Sequence, residues 1–144
     1  MTDNELFAKH AQSYLLCYND KCPTRKQCLR WIIKDHTPED MPVVSILNPR
    51  YAKTTDNECP YFKSNKKQKM AVGMTLFFDE MPRKTEQSVR NALINDLGRT
   101  KFFTYRRGAI PIPPAIQERI RAVCEACGWD KKPVYDGFTE EYEW

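Results

Sequence analysis

Apolar side chains recur at helical spacing in four stretches of the sequence, and each pattern predicts a helix with one buried face. The predicted helices cover residues 3–16, a stretch from Thr24 to His36, residues 86–97 and residues 114–127. Thr2 or Asp3 can cap the first helix, and Gly98 follows the third at the position where glycine commonly ends a helix.

Three other stretches have the apolar content or the alternation of β-strands. Residues 43–47 form a short β-branched run, and residues 70–78 alternate between two fairly apolar faces, which is typical of a central strand. Residues 99–107 alternate as well and predict a third strand. The pattern as a whole predicts an α+β fold with about four helices and a small, mostly antiparallel sheet.

The chain of 144 residues is long enough for one domain with its own core. We expect a single domain over 1–144, with a helical Cys-cluster part (1–60), a basic strand–helix–strand–helix part (61–127) and an acidic aromatic tail (128–144). The first residues lack the pattern of a signal peptide, and no apolar stretch is long enough to span a bilayer. A cytoplasmic protein with no membrane partner is therefore expected, and its thiols should stay reduced.

Charge is distributed unevenly along the chain, whose formal net charge is +4. Residues 61–107 carry eleven Lys and Arg against four Asp and Glu, a net charge of +7. Residues 108–144 carry four against seven, a net charge of −3, and residues 1–60 are balanced at eight against eight. The basic middle of the chain is where an anionic partner would be expected to bind.

Four cysteines in the first sixty residues are the main chemical signal in the sequence. Cys17, Cys22 and Cys28 are spaced C-x4-C-x5-C, and Cys59 follows in the stretch NECPY. A tetrahedral zinc site needs four thiolates at about 2.3 Å from the ion, and short spacings bring several of them together easily. Proline follows Cys22 and Cys59, so each thiol is expected at a stiffened turn or a helix entry instead of within a helix or strand. The pattern predicts a zinc site that stabilises the N-terminal part.

Other interpretations of these cysteines stay open. The spacing is wider than the C-x2-C pairs of common zinc folds. An iron–sulfur cluster is one alternative, because Cys-Pro occurs in ferredoxin-type runs, and buried cysteines without any metal are another. His36, at the end of the predicted second helix, is a substitute for Cys59 as fourth ligand. His10 lies on an apolar helical stripe, where packing is expected rather than ligation.

Basic and aromatic residues lie on and beside one face of the predicted strand over 99–107. Cations contact phosphates and exposed aromatic rings stack on bases, so this face is a candidate nucleic-acid surface. The candidate residues are Arg99, Lys101, Phe103, Tyr105, Arg106 and Arg107, with Lys63, Lys66 and Lys67 in the preceding lysine run. The alternative is that Phe103 and Tyr105 are core residues which the arginines flank.

Catalytic chemistry has little support in the sequence. There are two histidines, and none of the common nucleophile, nucleotide-binding or metalloprotease motifs occurs. Cys124 and Cys127 form a C-x2-C pair, but they close a predicted helix, whereas redox pairs normally open one. We interpret both as core residues, with thiol chemistry as the alternative.

Several stretches together resemble a known family. They are CPTRKQCLRW near the start, Met81-Pro82 before a helix, GRTKFFTYRRG with IPPAIQERI, and the closing YDGFTEEYEW. Over most of its length the chain resembles a family of short, uncharacterised bacterial proteins, classed as a domain of unknown function, with an N-terminal Cys cluster. The resemblance implies a bacterial, non-secreted protein and brings no activity, substrate or catalytic residue.

These features favour a small zinc-stabilised module that binds nucleic acid. A protein–protein adaptor or accessory subunit without catalysis is the second hypothesis, because the aromatic tail and the basic segment together could meet a protein partner. An iron–sulfur protein is a further alternative, and an enzyme is the weakest class.

Overall fold

The computed structural model of the protein describes residues 2–52 and 59–144, so positions 1 and 53–58 of the predicted Cys-cluster part lie outside the described residues. The chain forms two compact units. Unit 1 contains the chain up to Lys66 together with Tyr142–Trp144, and unit 2 contains Lys67–Glu141. Unit 1 is therefore discontinuous in sequence.

Unit 1 is built from short helices. They are α1 (Asp3–Ala11), α2 (Leu29–Ile33) and α3 (Pro49–Ala52), with 3₁₀ turns at Arg25–Gln27 and Lys34–His36. α1 begins with a capping box, in which the Glu5 amide donates to the Thr2 hydroxyl at 3.2 Å and the Thr2 amide donates to the Glu5 carboxylate at 2.9 Å. The first predicted helix ends at Ala11 instead of residue 16, because the Ser13 and Tyr14 amides both turn back to the His10 carbonyl.

The core of unit 1 joins α1, α2 and the C-terminal residues. Its almost fully buried side chains are Ala11, Leu16, Leu29 and Ile33, with Phe7 and Tyr142 packed against them. Residues 43–47, predicted as a strand, contribute only a single parallel bridge between Leu16 and Ile46. Pro42 and Pro49 enclose this run, and proline cannot donate to a β-ladder.

Unit 2 consists of three helices and a two-stranded antiparallel sheet. Its elements are β1 (Gln68–Val72), α4 (Arg83–Leu97), α5 (Arg99–Arg106), α6 (Pro114–Ala126) and β2 (Gly137–Glu141). The register sets Gln68 of β1 opposite Glu141 of β2. On the other edge of β1, Ala71 and Ile112 exchange two backbone hydrogen bonds of 3.1 and 2.7 Å.

The three helices of unit 2 enclose one apolar core. Fully buried side chains come from each helix and from the segments that flank β1: Val89 and Leu93 of α4, Phe102 of α5, Ile120 of α6, Met74 and Ile112. Each such side chain stabilises the fold by about 1.5–3 kcal/mol relative to exposure. The helical periodicity over 86–97 and 114–127 therefore identified α4 and α6 correctly.

The predicted strand over 70–78 is shorter than expected and ends at Val72. Gly73 follows with φ of +80°, a conformation that favours glycine. The Asp136 carboxylate then accepts hydrogen bonds from the Thr75 amide (3.2 Å), the Thr75 hydroxyl (2.7 Å) and the Leu76 amide (3.1 Å). With these hydrogen bonds the chain turns after Val72 instead of continuing the β-ladder.

The predicted strand over 99–107 is wrong, because Arg99–Arg106 form helix α5. Gly98, with φ of 88° and ψ of 149°, ends α4 and begins α5 with no intervening loop. The apparent alternation concealed a helical spacing, since the buried side chains Phe102 and Tyr105 lie three residues apart.

The predicted α+β class with an antiparallel sheet is confirmed. Over residues 2–52 and 59–144 there are six α-helices where about four were predicted, and the additional ones are α3 and α5. Within the same residues, no helix has both the length and the apolar character that a membrane span requires.

Candidate nucleic-acid interface and cysteine cluster

One face of α5 presents cations and an aromatic ring to solvent. Arg99, Phe103 and Arg107 lie at i, i+4 and i+8, so they are neighbours along the helix surface. All three are exposed, and Phe103 keeps 36% of its surface open. The Arg99 guanidinium carbon lies 5.6 Å from the Phe103 ring centroid, and the buried Phe102 ring meets Phe103 edge-on at 5.1 Å. We call these three residues the α5 stripe.

The cations of α5 differ from three arginines of α4 and α6 that form salt bridges. These pairs are Arg90 with Glu86, Arg119 with Asp96, and Arg121 with Glu118 and Glu125. Residues 99–107 include no acidic residue. Within the described part of the chain, no carboxylate forms a salt bridge with Arg99, Lys101, Arg106 or Arg107. The positive charge of α5 is therefore available to an external anion.

Two predicted residues of this segment leave the candidate surface. Tyr105 is only 3% exposed and belongs to the core of unit 2, so its ring cannot stack on a base. Arg106 is half-buried, with its guanidinium carbon 5.6 Å from the Phe78 ring centroid. Lys101 is exposed, and its ammonium lies 5.7 Å from the Tyr105 ring centroid.

The predicted lysine run is divided between the two units. Lys63 and Lys66 belong to unit 1, where the Lys63 carbonyl accepts a 2.7 Å hydrogen bond from the Leu29 amide. Lys67 belongs to unit 2 and lies directly before β1.

An open cleft of about 360 Å³ in unit 2 was not foreseen from the sequence. Its lining includes Lys69, Arg121, Lys132, Tyr135 and Phe138, and the Lys69 ammonium lies 4.6 Å from the Phe138 ring centroid. Arg121 is neutralised by two glutamates, one of which also lines the cleft.

In unit 1, backbone hydrogen bonds tie three of the four cysteine segments to one another. The Cys17 amide donates to the Arg30 carbonyl at 3.0 Å. Cys28 immediately precedes α2 and forms an antiparallel bridge with Ser64, five residues after Cys59.

Both Cys-Pro sequences form turns, as predicted. The Arg25 amide donates to the Cys22 carbonyl at 3.3 Å, and the Phe62 amide donates to the Cys59 carbonyl at 3.1 Å. In each turn proline is the second residue, where its fixed φ favours the geometry. The two cysteines therefore lie at matching positions of two similar turns.

Three other cysteines act electrostatically on the thiol of Cys17. Burial raises the pKa of Cys17, the Asn19 amide opposes this by hydrogen bonding, and the thiols of Cys28, Cys22 and Cys59 raise it further. Among the described residues, however, no three His, Cys, Asp or Glu side chains are close enough together to enclose a metal ion.

Both histidines take part in aromatic packing in unit 1. The His36 ring meets Phe7 edge-on with centroids 5.3 Å apart, which favours Cys59 over His36 as a fourth ligand. The His10 ring stacks on Trp144 at 3.6 Å, in keeping with the packing interpretation.

All six cysteines are free thiols, including the pair on α6. Cys124 is buried in the core of unit 2, and Cys127 packs against that core. Burial, with a smaller effect of Cys127, raises the pKa of Cys124 to about 11, which disfavours the reactive thiolate.

Arg30 is a residue whose importance the sequence did not indicate. Its guanidinium donates to the Tyr61 carbonyl at 2.7 Å and to the Leu15 carbonyl at 3.0 Å, and it lies 4.8 Å from the Tyr14 ring centroid. A charged residue in a short helix gives no sequence signal for such contacts, because its partners are carbonyl groups distant in the chain.

The fold and these features define a small α+β protein that combines an N-terminal thiol cluster with an exposed basic helix. The chain belongs to DUF6078, a family of unknown function, whose profile matches residues 1–144. Neither a curated protein nor a solved structure matches the chain.

Proposed function

We propose that the protein binds single-stranded nucleic acid through the α5 stripe. The observation that carries this proposal is the placement of exposed Phe103 between Arg99 and Arg107, on a helix whose cations form no salt bridge within residues 2–52 and 59–144. Arginines contact backbone phosphates, and an exposed aromatic ring stacks on a base whatever its identity.

A single strand suits this surface better than a duplex. In a duplex the bases are already stacked on one another, so an exposed phenylalanine ring gains little from them. In a single strand each base has a free face, and stacking contributes about 1–3 kcal/mol per base. The buried Phe102 supports the Phe103 ring from below, which lowers the entropy lost on binding.

The first test is the salt dependence of binding to a labelled oligonucleotide, measured by fluorescence anisotropy. Arg99→Ala and Arg107→Ala should each lower the slope of log K against log salt by about 0.7. Arg119→Ala is the matched control, because it removes an equal charge from an arginine that is paired with Asp96. Salt-insensitive binding, no binding at low salt, or equal losses in all three variants would contradict the proposal.

Phe103→Leu separates stacking from charge. Leucine keeps an apolar side chain on α5 but has no ring, so binding should weaken by about 1–3 kcal/mol, roughly 5- to 150-fold, while the salt slope stays unchanged. The same titrations measure this. Wild-type affinity in the Phe103→Leu protein would show that the ring does not contact bases.

We infer a protein partner as the second candidate function, because unit 2 also exposes apolar side chains around a small cleft. Leu76 and Val134 are 53% and 49% exposed and line this cleft together with Trp129. Exposed apolar groups of this kind mark protein contacts. The wild-type protein should co-purify with one specific protein in affinity capture, and light scattering should give the mass of the complex. Leu76→Ser should prevent this co-purification while leaving oligonucleotide binding intact.

A further inference from the structure

Each segment that carries a cysteine of unit 1 is bonded to α2. Cys28 directly precedes this helix, and the Cys17 amide donates to the Arg30 carbonyl. The Arg30 guanidinium donates to the carbonyl of Tyr61, inside the turn that Cys59 begins. The Trp31 indole donates at 3.1 Å to Asp20, in the turn that leads to Cys22. α2 is therefore the common anchor of four separate thiols.

Two of the sulfurs already have hydrogen-bond partners of the kind that support metal-bound thiolates. The Asn19 amide donates to the Cys17 sulfur, and the Cys22 sulfur lies 3.4 Å from the Thr24 hydroxyl. In each case the partner follows its cysteine by two residues. Such contacts orient a ligand and stabilise its negative charge.

Two guanidinium groups contact the backbone of the segments that carry these thiols. The Arg25 guanidinium donates to the Cys22 carbonyl at 3.0 Å, and Arg30 contacts the segments of Cys17 and Cys59 as described above. Four thiolates around a divalent ion carry a net charge of about −2, which nearby guanidinium groups offset.

We propose that Cys17, Cys22, Cys28 and Cys59 bind one structural Zn²⁺ ion as four thiolates. Four soft sulfur ligands select zinc or an iron–sulfur cluster. The C-x4-C-x5-C spacing differs from that of ferredoxin-type runs, which favours zinc over an iron–sulfur cluster. The ion would join the segments that α2 anchors. This proposal does not depend on nucleic-acid binding.

The first experiment measures metal in the full-length protein, purified under reducing conditions without chelators. Elemental analysis should find one zinc per chain, and replacement with Co²⁺ should give the visible absorption of tetrahedral cobalt thiolate. A brown protein that contains iron, or a protein with neither metal after incubation with excess Zn²⁺, would overturn the proposal.

Variants then identify the ligands. Cys22→Ser and Cys59→Ser should lose the bound zinc and the cobalt spectrum. Cys127→Ser is the matched control, since this half-buried cysteine belongs to unit 2, and it should keep one zinc per chain. His36→Ala should also keep it. Loss of zinc from His36→Ala together with retention in Cys59→Ser would overturn the ligand set.

A third measurement uses only wild-type protein, in case a cysteine variant fails to fold. Thiol titration of the native protein should find Cys17, Cys22, Cys28 and Cys59 protected in addition to the buried Cys124. A strong chelator should release one zinc and make the first four thiols reactive. It should also lower the Tm, because the binding energy of a structural ion is part of the folding energy. Unchanged thiol reactivity after chelation would contradict the site.

Discussion

Asp136 fixes the direction of the chain after β1 through its three hydrogen bonds to Thr75 and Leu76. Desolvation raises the pKa of this exposed carboxyl group, but the hydrogen bonds lower the pKa by more, so the net shift is downward. The folded protein therefore favours the carboxylate. The resulting stabilisation is complete above the ordinary carboxyl pKa of 3.8 and is lost as the pH falls below that value.

Asp136→Asn should lower the free energy of unfolding by about 1 kcal/mol at neutral pH, because an amide accepts hydrogen bonds less strongly than an exposed carboxylate. The difference from wild type should shrink at pH values below 3.8. Thermal denaturation followed by circular dichroism measures both effects. Asp130→Asn, at an exposed carboxylate, should show neither.

At the scale of single residues, the sequence predicted local backbone geometry and helical packing better than burial and long-range hydrogen bonds. The Cys-Pro turns followed from proline's fixed φ, and the packing of His10 followed from its helical stripe. Burial of Tyr105 and the hydrogen bonds of Asp136 and Arg30 did not, because each depends on groups that are distant in the chain.

Gly98 joins α4 directly to α5 in a backbone conformation that is almost exclusive to glycine. Gly98→Ala should therefore destabilise unit 2 by about 1–3 kcal/mol, although a Cβ there would meet no atom within 4 Å. Gly137→Ala is the control, since Gly137 has no positive φ and equally open surroundings. Denaturant unfolding of the two variants tests this prediction. Equal effects would show that the conformation is not the cause.

At the scale of elements, prediction succeeded where one spacing dominated and failed where two competed. α4 and α6 carry several apolar residues at helical intervals, and both were predicted. Residues 99–107 contain aromatic residues and threonines that favour strands, and their alternation is as regular as their helical spacing. The helix is favoured because it buries Phe102 and Tyr105 together in the core of unit 2. The sequence alone does not reveal which core these side chains join.

On the scale of the whole molecule, unit 1 depends on residues from both ends of the chain. The Tyr142 hydroxyl donates to Asp3 at 3.1 Å, and the Trp144 ring stacks on His10 and meets Phe7 and Tyr14 edge-on. The sequence did not predict that Tyr142 and Trp144 belong to unit 1.

Trp144→Ala should destabilise unit 1 by about 1.5–3 kcal/mol through loss of apolar burial and ring contacts. Hydrogen–deuterium exchange localises the effect: amides of α1 and α2 should exchange faster, whereas those of α6 should keep wild-type rates. Uniform acceleration in both units would contradict this assignment. Val134→Ala, at a half-exposed position of unit 2, is the control that should leave α1 unchanged.

The return of the chain to unit 1 at Tyr142 also constrains its folding during synthesis. Ribosomes deliver Tyr142 and Trp144 only after every residue of unit 2, so α1 emerges long before the rings that cover His10. The core of unit 1 is therefore completed only after Tyr142 has left the ribosome, long after Phe7 and Leu29 of the same core.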